Sequence, residues 1–595
     1  MRIINIFKNF KALYKGELFA RTKRLIERKT GLIKRKFYLP TICIFDFSQI
    51  ITFKFEFFKF IQFYFNMFEV MGTTYEIQDI ENYRNDEFKN VPWYDINIKN
   101  YKDDVRVFWE KNRLQFLPIY TILAIKQNNP EKLVAFLRRW EEVNPYNYGL
   151  NWVSNLEIAI RSVSIFLAYI VYITYTGSRN DYIERLLFKH IYRVYRDIEY
   201  TEKCMPNNHL IGEAAALYLV GSLLKTEYSD DFLRRSKRIL KDYISFFRDD
   251  GTYIESSLSY HRFAIQMYLL VYLLSKRLGD NFLEHEFQKM ITQSYKFFCC
   301  IEKHDGTYPQ FGDWDDGVFY RASSKPITNF RDFVDSLGYM AGYHERKNVE
   351  ISFLEAFFGN IYVESLVVPD FYSSYPIFEL FSHGKYGVYK DYQIYVFINN
   401  AEQIFHAHAD GLAIELSFGD KHILTDSGTY SYNLNKNLRR YFRSTRAHNT
   451  AFLGADQSTQ VGSFRWVDQA FTTLRKSNNG FEGEVIYKNG SRHVRKISIA
   501  EQEVCVEDTI KSCFNTFPEI NFHFHPDRHV QILNKNKVLI DNDIIMLVES
   551  SEGFKLEKLK SLCSYHYMHI VERENVRIVF YSNTVRCKVI FRKID

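Results

Sequence analysis

The sequence predicts an α+β multidomain fold, a helical (α/α) toroid followed by an antiparallel β-sandwich. Three observations predict it. Apolar residues recur at helical spacing from about Val105 to Ile301, short alternating runs rich in Val, Ile, Tyr and Phe replace them after about Pro376, and 595 residues exceed one hydrophobic core. The expected divisions are a basic extension with some strand over 1–90, the toroid over 91–345 and the sandwich over 346–595.

In the extension, Met1 to Lys36 holds twelve Lys and Arg against Glu17 and Glu27, while the whole chain is only +7, so the remainder is slightly acidic. A nucleic-acid-binding protein spreads its basic residues along the contact face. Their concentration in one arm argues against such a partner. Ile3, Ile6, Phe7, Phe10, Leu13 and Tyr14 recur at helical spacing. Such an arm either makes a peripheral contact with an anionic membrane or packs on the main body. The aromatic stretch from Phe37 to Met71 is interrupted by Asp46, Lys54, Glu56 and Lys59, and the alternation from Ile51 to Phe57 reads as a half-buried strand rather than a bilayer span. No uninterrupted apolar segment with a small-residue cleavage site follows the basic start. Eight cysteines, including the adjacent Cys299 and Cys300, form no Cys-x-x-Cys spacing. The expectation is a reducing, cytoplasmic setting, with membrane association through the arm as its variant.

The helical half is expected to contain helices over 105–126, 130–142, 153–175, 180–200, 208–225, 229–247, 258–277 and 281–301. Pairs repeating at roughly fifty residues describe stacked hairpins, and closing such a stack into a ring leaves a central groove. The stretch from His304 to about Tyr375 is loop-rich and connects the halves. Beyond it, strands over 386–398, 413–416, 484–487, 504–506 and 576–581 are set off by Asn478-Asn-Gly480 and Lys488-Asn-Gly490, turns suited to antiparallel sheets.

Three segments carry chemistry. Pro206 to Glu213 opens an apolar helix with Asn207, Asn208 and His209. Donors at a helix N-terminus sit in a positive local field suited to a carboxylate, and an Asn there is equally an ordinary N-cap. Gly251 to Arg262 leads into another helix, with Tyr260 just before His261 and Arg262. A nearby cation favours the phenolate of a residue whose reference pKa is about 10, although one Tyr among many carries little by itself. The third segment is the most informative: His406-Ala-His408-Ala-Asp410, then Asp426-Ser-Gly-Thr-Tyr430, then Tyr441 to Thr450. His408, Asp426 and His448 suit tetrahedral Zn²⁺ with a fourth ligand unassigned; the alternative is a set of unrelated turn residues.

Taken together, these segments resemble the heparinase II/III superfamily from about Pro92 to at least Trp466. The pieces are Phe108-Trp-Glu-Lys-Asn-Arg113, Asn208-His209 with Glu213, Tyr260, Asp305-Gly-Thr with Gly312-Asp313, His406-x-His408-x-Asp410, Asp426-Ser-Gly-Thr-Tyr430, and Arg443-Ser-Thr-x-Ala-His448-Asn-Thr450. Their order and spacing, rather than any one piece, carry the likeness. Leu18-Phe-Ala-Arg21 looks like intracellular members. The resemblance implies a cleft between toroid and sandwich, with an anionic, uronate-containing polysaccharide as substrate. Asn208 and His209 would neutralise the uronate carboxylate, Tyr260 and His406 would be the catalytic tyrosine and histidine, and His408, Asp426 and His448 would hold a structural metal. Some relatives use a second tyrosine, for which Tyr441 and Tyr432 both stand. Glu213, Arg262, Tyr441 and Arg443 are the expected substrate contacts.

That set matches what β-elimination requires. The C5 proton of a uronate is weakly acidic, so the carboxylate must be neutralised while a base takes the proton and an acid protonates the departing O4. Two rivals stand beside this reading. A glycoside hydrolase on the same toroid would need two carboxyl groups facing the sugar, for which Asp313, Asp315 and Asp316 are candidates. A non-catalytic scaffold of a polysaccharide assembly system would need only binding. Heparan, chondroitin, hyaluronan, alginate and an endogenous capsule or O-antigen polymer all fit the sequence.

Overall fold

The computed structural model describes residues 13–40, 44–46 and 67–594, apart from 72, 86, 323–324, 344–347 and 362–374. Ile3, Ile6, Phe7 and Phe10 of the arm, and the strand expected over Ile51–Phe57, lie outside these residues.

Two kinds of helix build the first domain. Asn155–Thr176, Asn208–Gly221 and Leu258–Arg277 are buried almost all round. Asp181–Cys204, Ser229–Tyr243 and Glu284–Ile301 are amphipathic, with one apolar side. A helix apolar on every side must be covered on every side, so the first set forms an inner layer and the second wraps it. Asn155–Thr176 is long and apolar enough to cross a membrane, yet 94% of its most apolar stretch is buried in this core. The helix expected over 105–126 is two, Val105–Asn112 and Leu117–Lys126. Leu114 takes a left-handed φ of 56°, which breaks the first, and Pro118 lies in the first turn of the second, where a missing N–H costs nothing. The last helix, Val349–Phe358, packs on the helical core beyond the expected boundary at 345.

The second domain is antiparallel throughout its large sheets. Five strands from Ile377–Phe381 to Lys421–Leu424 form a meander, eight strands include Phe471–Ser477, Gly480–Ile486, Arg492–Ala500 and Glu503–Lys511 in sequence, and four strands include Glu519–His523 and His569–Phe580. Ser477 pairs with Gly480 across Asn478-Asn479, the hairpin the sequence indicated. Alternating side chains from all three sheets, such as Val396, Phe481, Val506 and Ile578, fill one shared core.

The described part of the basic arm, from Leu13 to Lys36, packs on the main body. Its helix Glu17–Lys29 lays Arg24 against Asp197 and over the Tyr200 ring, while Leu18, Phe19, Leu25 and Ile26 face outward.

Candidate active site

The N-terminal ends of two inner helices meet a loop of the second domain. Asn207 is the N-cap of Asn208–Gly221, its Oδ1 accepting from His209 N–H at 3.2 Å. Asn208 is therefore free for other work. Its backbone N–H and its Nδ2 both donate to Glu255, each at 2.7 Å, and Nδ2 lies 3.4 Å from His406 Nε2. Ser257 caps Leu258–Arg277, which aims Tyr260 back over the same end. The Tyr260 ring lies flat on the His406 imidazole, with centroids 3.6 Å apart and planes at 12°. Its hydroxyl donates to Asp315 Oδ2 at 2.9 Å and lies 3.1 Å from the Tyr432 hydroxyl.

The loop Gly312 to Gly317 threads between the domains and holds this cluster in place. Asp313 N–H donates to the His406 carbonyl at 2.8 Å. A methyl group on Gly312 would sit 2.2 Å from the Ser256 carbonyl oxygen and 3.1 Å from that of His406, and φ there is 68°. Gly312→Ala is therefore expected to destabilise the protein by at least about 2 kcal/mol, measured by urea unfolding, since clash and left-handed strain add. Strain recurs nearby: Ser256, Phe405 and Tyr430 have φ of 51°, 48° and 65°.

Asp313 is the hub. Oδ2 accepts from His406 Nδ1 at 2.9 Å, Oδ1 accepts from His408 Nε2 at 3.0 Å, and Arg439 closes on both oxygens. Burial alone would raise this carboxyl, but Arg439 and the two histidines hold it well below the usual range. An ionised Asp313 accepts the proton on His406 Nδ1 and so turns Nε2 toward the cluster, 3.4 Å from Asn208 Nδ2 and 3.5 Å from Glu255 Oε2. That is the arrangement by which a buried Asp fixes a catalytic histidine's tautomer.

Asp315 is treated likewise. Burial is outweighed by Arg106 and Arg113, which keep it below the ordinary carboxylate range. Burial first, then Asp315 and Asp313, push the Tyr260 phenol well above its usual range, so it carries its proton. Burial lowers His209 to about 4, leaving a neutral imidazole.

The second constellation lies beside the first. Ligand atoms of His408, Asp426 and His448 all fall within 4.8 Å of one another and are buried. His448 is bonded at both ring nitrogens, Nε2 to the Phe442 carbonyl at 3.1 Å and Nδ1 to Asp426 Oδ2 at 2.7 Å; burial opposes the imidazolium, but Asp426 raises it above the usual range. His408 Nε2 is engaged by Asp313, and its buried Nδ1 has no partner. The unpartnered His408 Nδ1, the His448 Nδ1 and the Asp426 carboxylate thus converge where a metal ion could take the place of the proton on His448, with Asp313 behind His408 as the supporting carboxylate common at metal-bound histidines.

The remaining expected contacts are turned away from the cluster. Glu213 is fully buried, accepting from Asn155 Nδ2 at 2.6 Å and Thr201 Oγ1 at 2.9 Å. Burial raises its carboxyl well above the usual range. Such a group stabilises the fold fully below its unfolded pKa of about 4.3, and that contribution disappears as pH rises through the folded value. Glu213→Gln should therefore flatten the decline of Tm with rising pH and leave activity intact, read by thermal melts across pH. Arg262 reaches the Ile327 carbonyl and stacks on Phe330 at 4.1 Å. Arg443 is buried over Trp466 at 4.2 Å, and among the described residues its guanidinium has no hydrogen-bond partner. Tyr441 accepts from Leu562 N–H. Of the two tyrosines considered, Tyr432 is the one beside Tyr260. Glu255, Asp313, Asp315 and Arg439 complete the site; the sequence offered the two aspartates as hydrolase candidates and gave no sign of Glu255 or Arg439. Asp316 turns to Trp314 Nε1 and Tyr567 N–H.

Two family models match the chain, the heparinase II/III N-terminus over 68–334 and the heparinase II/III-like C-terminal domain over 376–592. Among solved structures, a heparinase III is similar with a TM-score of 0.65 at 15% identity, covering 98% of this chain and 93% of that one. A heparan sulfate lyase from Pedobacter heparinus is similar with a TM-score of 0.53 at 16% identity, covering 89% and 81%. No curated protein matches the sequence. The family models span both domains and the residues that build the cluster between them, and the chain belongs to the heparinase II/III family of polysaccharide lyases.

Proposed function

We propose that this lyase cleaves a uronate-containing polysaccharide by β-elimination at the Asn208–Tyr260–His406 cluster. The observation that carries the reading is the stacked pair: His406, anchored through Nδ1 on Asp313 with Nε2 turned to the cluster, and the protonated Tyr260 hydroxyl, presented side by side next to Asn208.

The substrate carboxylate would lie against Asn208 and His209 at the helix N-terminus, where fixed donors and the helix dipole favour the charge that builds on it. His406 Nε2 takes the C5 proton as base. The C5–H electron pair becomes the C4–C5 double bond, the C4–O4 bond breaks, and Tyr260 gives its proton to the departing O4. Tyr432 and Asp315 hold the Tyr260 hydroxyl in place. Asp313 and Asp315 are each committed to arginines and hydrogen bonds, which leaves neither as the proton-bearing acid that hydrolysis requires.

His408, Asp426 and His448 would hold Zn²⁺, which when bound supplies a rigid, charged anchor for that part of the domain. Metal analysis of the purified protein should find one zinc per chain, and a His448→Ala variant should retain less and melt earlier.

The test is a panel of uronate polymers, with heparan sulfate first because a similar solved protein, the heparan sulfate lyase from Pedobacter heparinus, is named for acting on it. Growth of ultraviolet absorbance from an unsaturated uronate supports elimination. New reducing ends without absorbance would mean hydrolysis, and binding without either would mean a scaffold.

A further inference from the structure

The basic arm does more than pack on the surface: it ties the two domains together beside the cluster. Glu17 is completely buried and receives both terminal nitrogens of Arg465 from the second domain, at 2.8 and 2.9 Å, together with Arg21 Nε at 2.6 Å and the Tyr14 N–H at 2.9 Å. Arg465 also donates to the Cys204 carbonyl of the first domain at 3.1 Å and lies 4.7 Å over the Tyr14 ring. Tyr14 stacks on Phe405 at 6.4 Å, and Phe405 immediately precedes His406. Arg465 follows Phe464, whose ring packs on His406 at 5.6 Å and on Tyr432 at 5.0 Å. The strap is thus fixed at two points, one beside the residue that precedes His406 and one at the residue that follows Phe464, which packs on His406.

We infer that this strap, Tyr14 to Lys29 locked by Glu17 and Arg465, closes the groove on one side of the cluster, so that the enzyme acts on chain ends and short oligosaccharides instead of the interior of long chains. The inference rests on the lyase reading above. A polymer cut internally must leave the site in both directions. The strap, joined to the second domain through Arg465 and beside the Cys204 carbonyl of the first, would cross one of these exits. Lifting it would leave a buried carboxylate and a guanidinium without their partners, which makes spontaneous opening rare. In the closed arrangement Asn208, His406 and Tyr260 are 0%, 5% and 8% exposed, as suits a site entered by a chain end.

The experiment compares the full-length protein with Arg465→Glu and with the charge-swapped Glu17→Arg/Arg465→Glu. Two readouts are used. With a cleaved polymer, wild type should release the smallest unsaturated products from the first turnovers while viscosity falls slowly; Arg465→Glu should drop viscosity early and release longer products, and the swap should move back toward wild type. An early viscosity drop with wild type itself would overturn the inference. Hydrogen exchange of the 206–210 and 404–408 backbone reads the strap without any turnover: it should rise several-fold in Arg465→Glu at temperatures where that variant remains folded, and partly recover in the swap. Unchanged exchange would overturn the strap even if the lyase reading holds. Raised exchange with no absorbance from any polymer would sustain the strap and sink the lyase reading.

Discussion

Tyr260→Phe is expected to lower kcat by about 10²–10⁴-fold while changing stability by no more than about 1 kcal/mol. The substitution removes one oxygen and nothing of the ring. The flat stack on His406 survives, so the histidine stays where it is, and Asp315 keeps its arginine and its backbone partner at Gly317. What is lost is the proton that leaves with O4. If the loss is in the chemical step, KM should move little and kcat should carry the effect. Because burial and Asp315 hold the phenol well above its usual range, no alkaline loss of activity from Tyr260 ionisation should occur near pH 9, and an ultraviolet phenolate titration of wild type against the variant should show no difference there.

Asp313→Asn has the larger structural consequence. Asp313 is the only carboxylate paired with Arg439 among the described residues, and both are buried. An amide cannot accept on both sides, so Arg439 is left as an uncompensated buried charge, which costs about 3–5 kcal/mol. The same change releases His406 from its tautomer, and activity should fall by about 10⁴-fold, as for other histidines deprived of their orienting carboxylate. Metal content should fall too, because His408 loses the acceptor that turns its Nδ1 toward Asp426 and His448. Urea unfolding, steady-state kinetics and metal analysis on one preparation separate the three effects. The pH dependence has a defined sign: Asp313 and Asp315 are held below their unfolded values, so their contribution is complete above about pH 4 and is lost as pH falls through the folded values. Wild type should therefore be acid-labile, and Asp313→Asn less steeply so.

Much of the fold was legible because period and composition are local properties. The inner helices Asn155–Thr176 and Leu258–Arg277 have lengths and apolar runs that admit no other structure, and Asn478-Asn479 names its own hairpin. The break at Leu114 was not visible, since a left-handed leucine is imposed by packing and leaves no signature in residue type. In the site, motif order singled out Asn208, Tyr260, His406 and the His408–Asp426–His448 set, and the structure brings these residues together. Their expected neighbours turn elsewhere for a geometric reason. Glu213 is five residues after Asn208, about 140° round the helix, and Arg262 is two after Tyr260, about 200° round, so each faces away from the residue beside which it was placed. Tyr441 stands in the same relation to Arg439, the member of Lys436–Arg443 that reaches Asp313. In helices buried on all sides no polar stripe marks which direction is the cleft. Glu255, Asp313 and Arg439 come together from three separate stretches of the chain, and that pairing exists only once the domains are docked.

The most direct test of the central claim is to digest a cleaved polymer in oxygen-18-labelled water and weigh the products by mass spectrometry. Elimination breaks the C4–O4 bond without adding water, so the account predicts unsaturated products carrying no label. A labelled oxygen at every new end, with each cut adding one water, would contradict it and establish hydrolysis in its place.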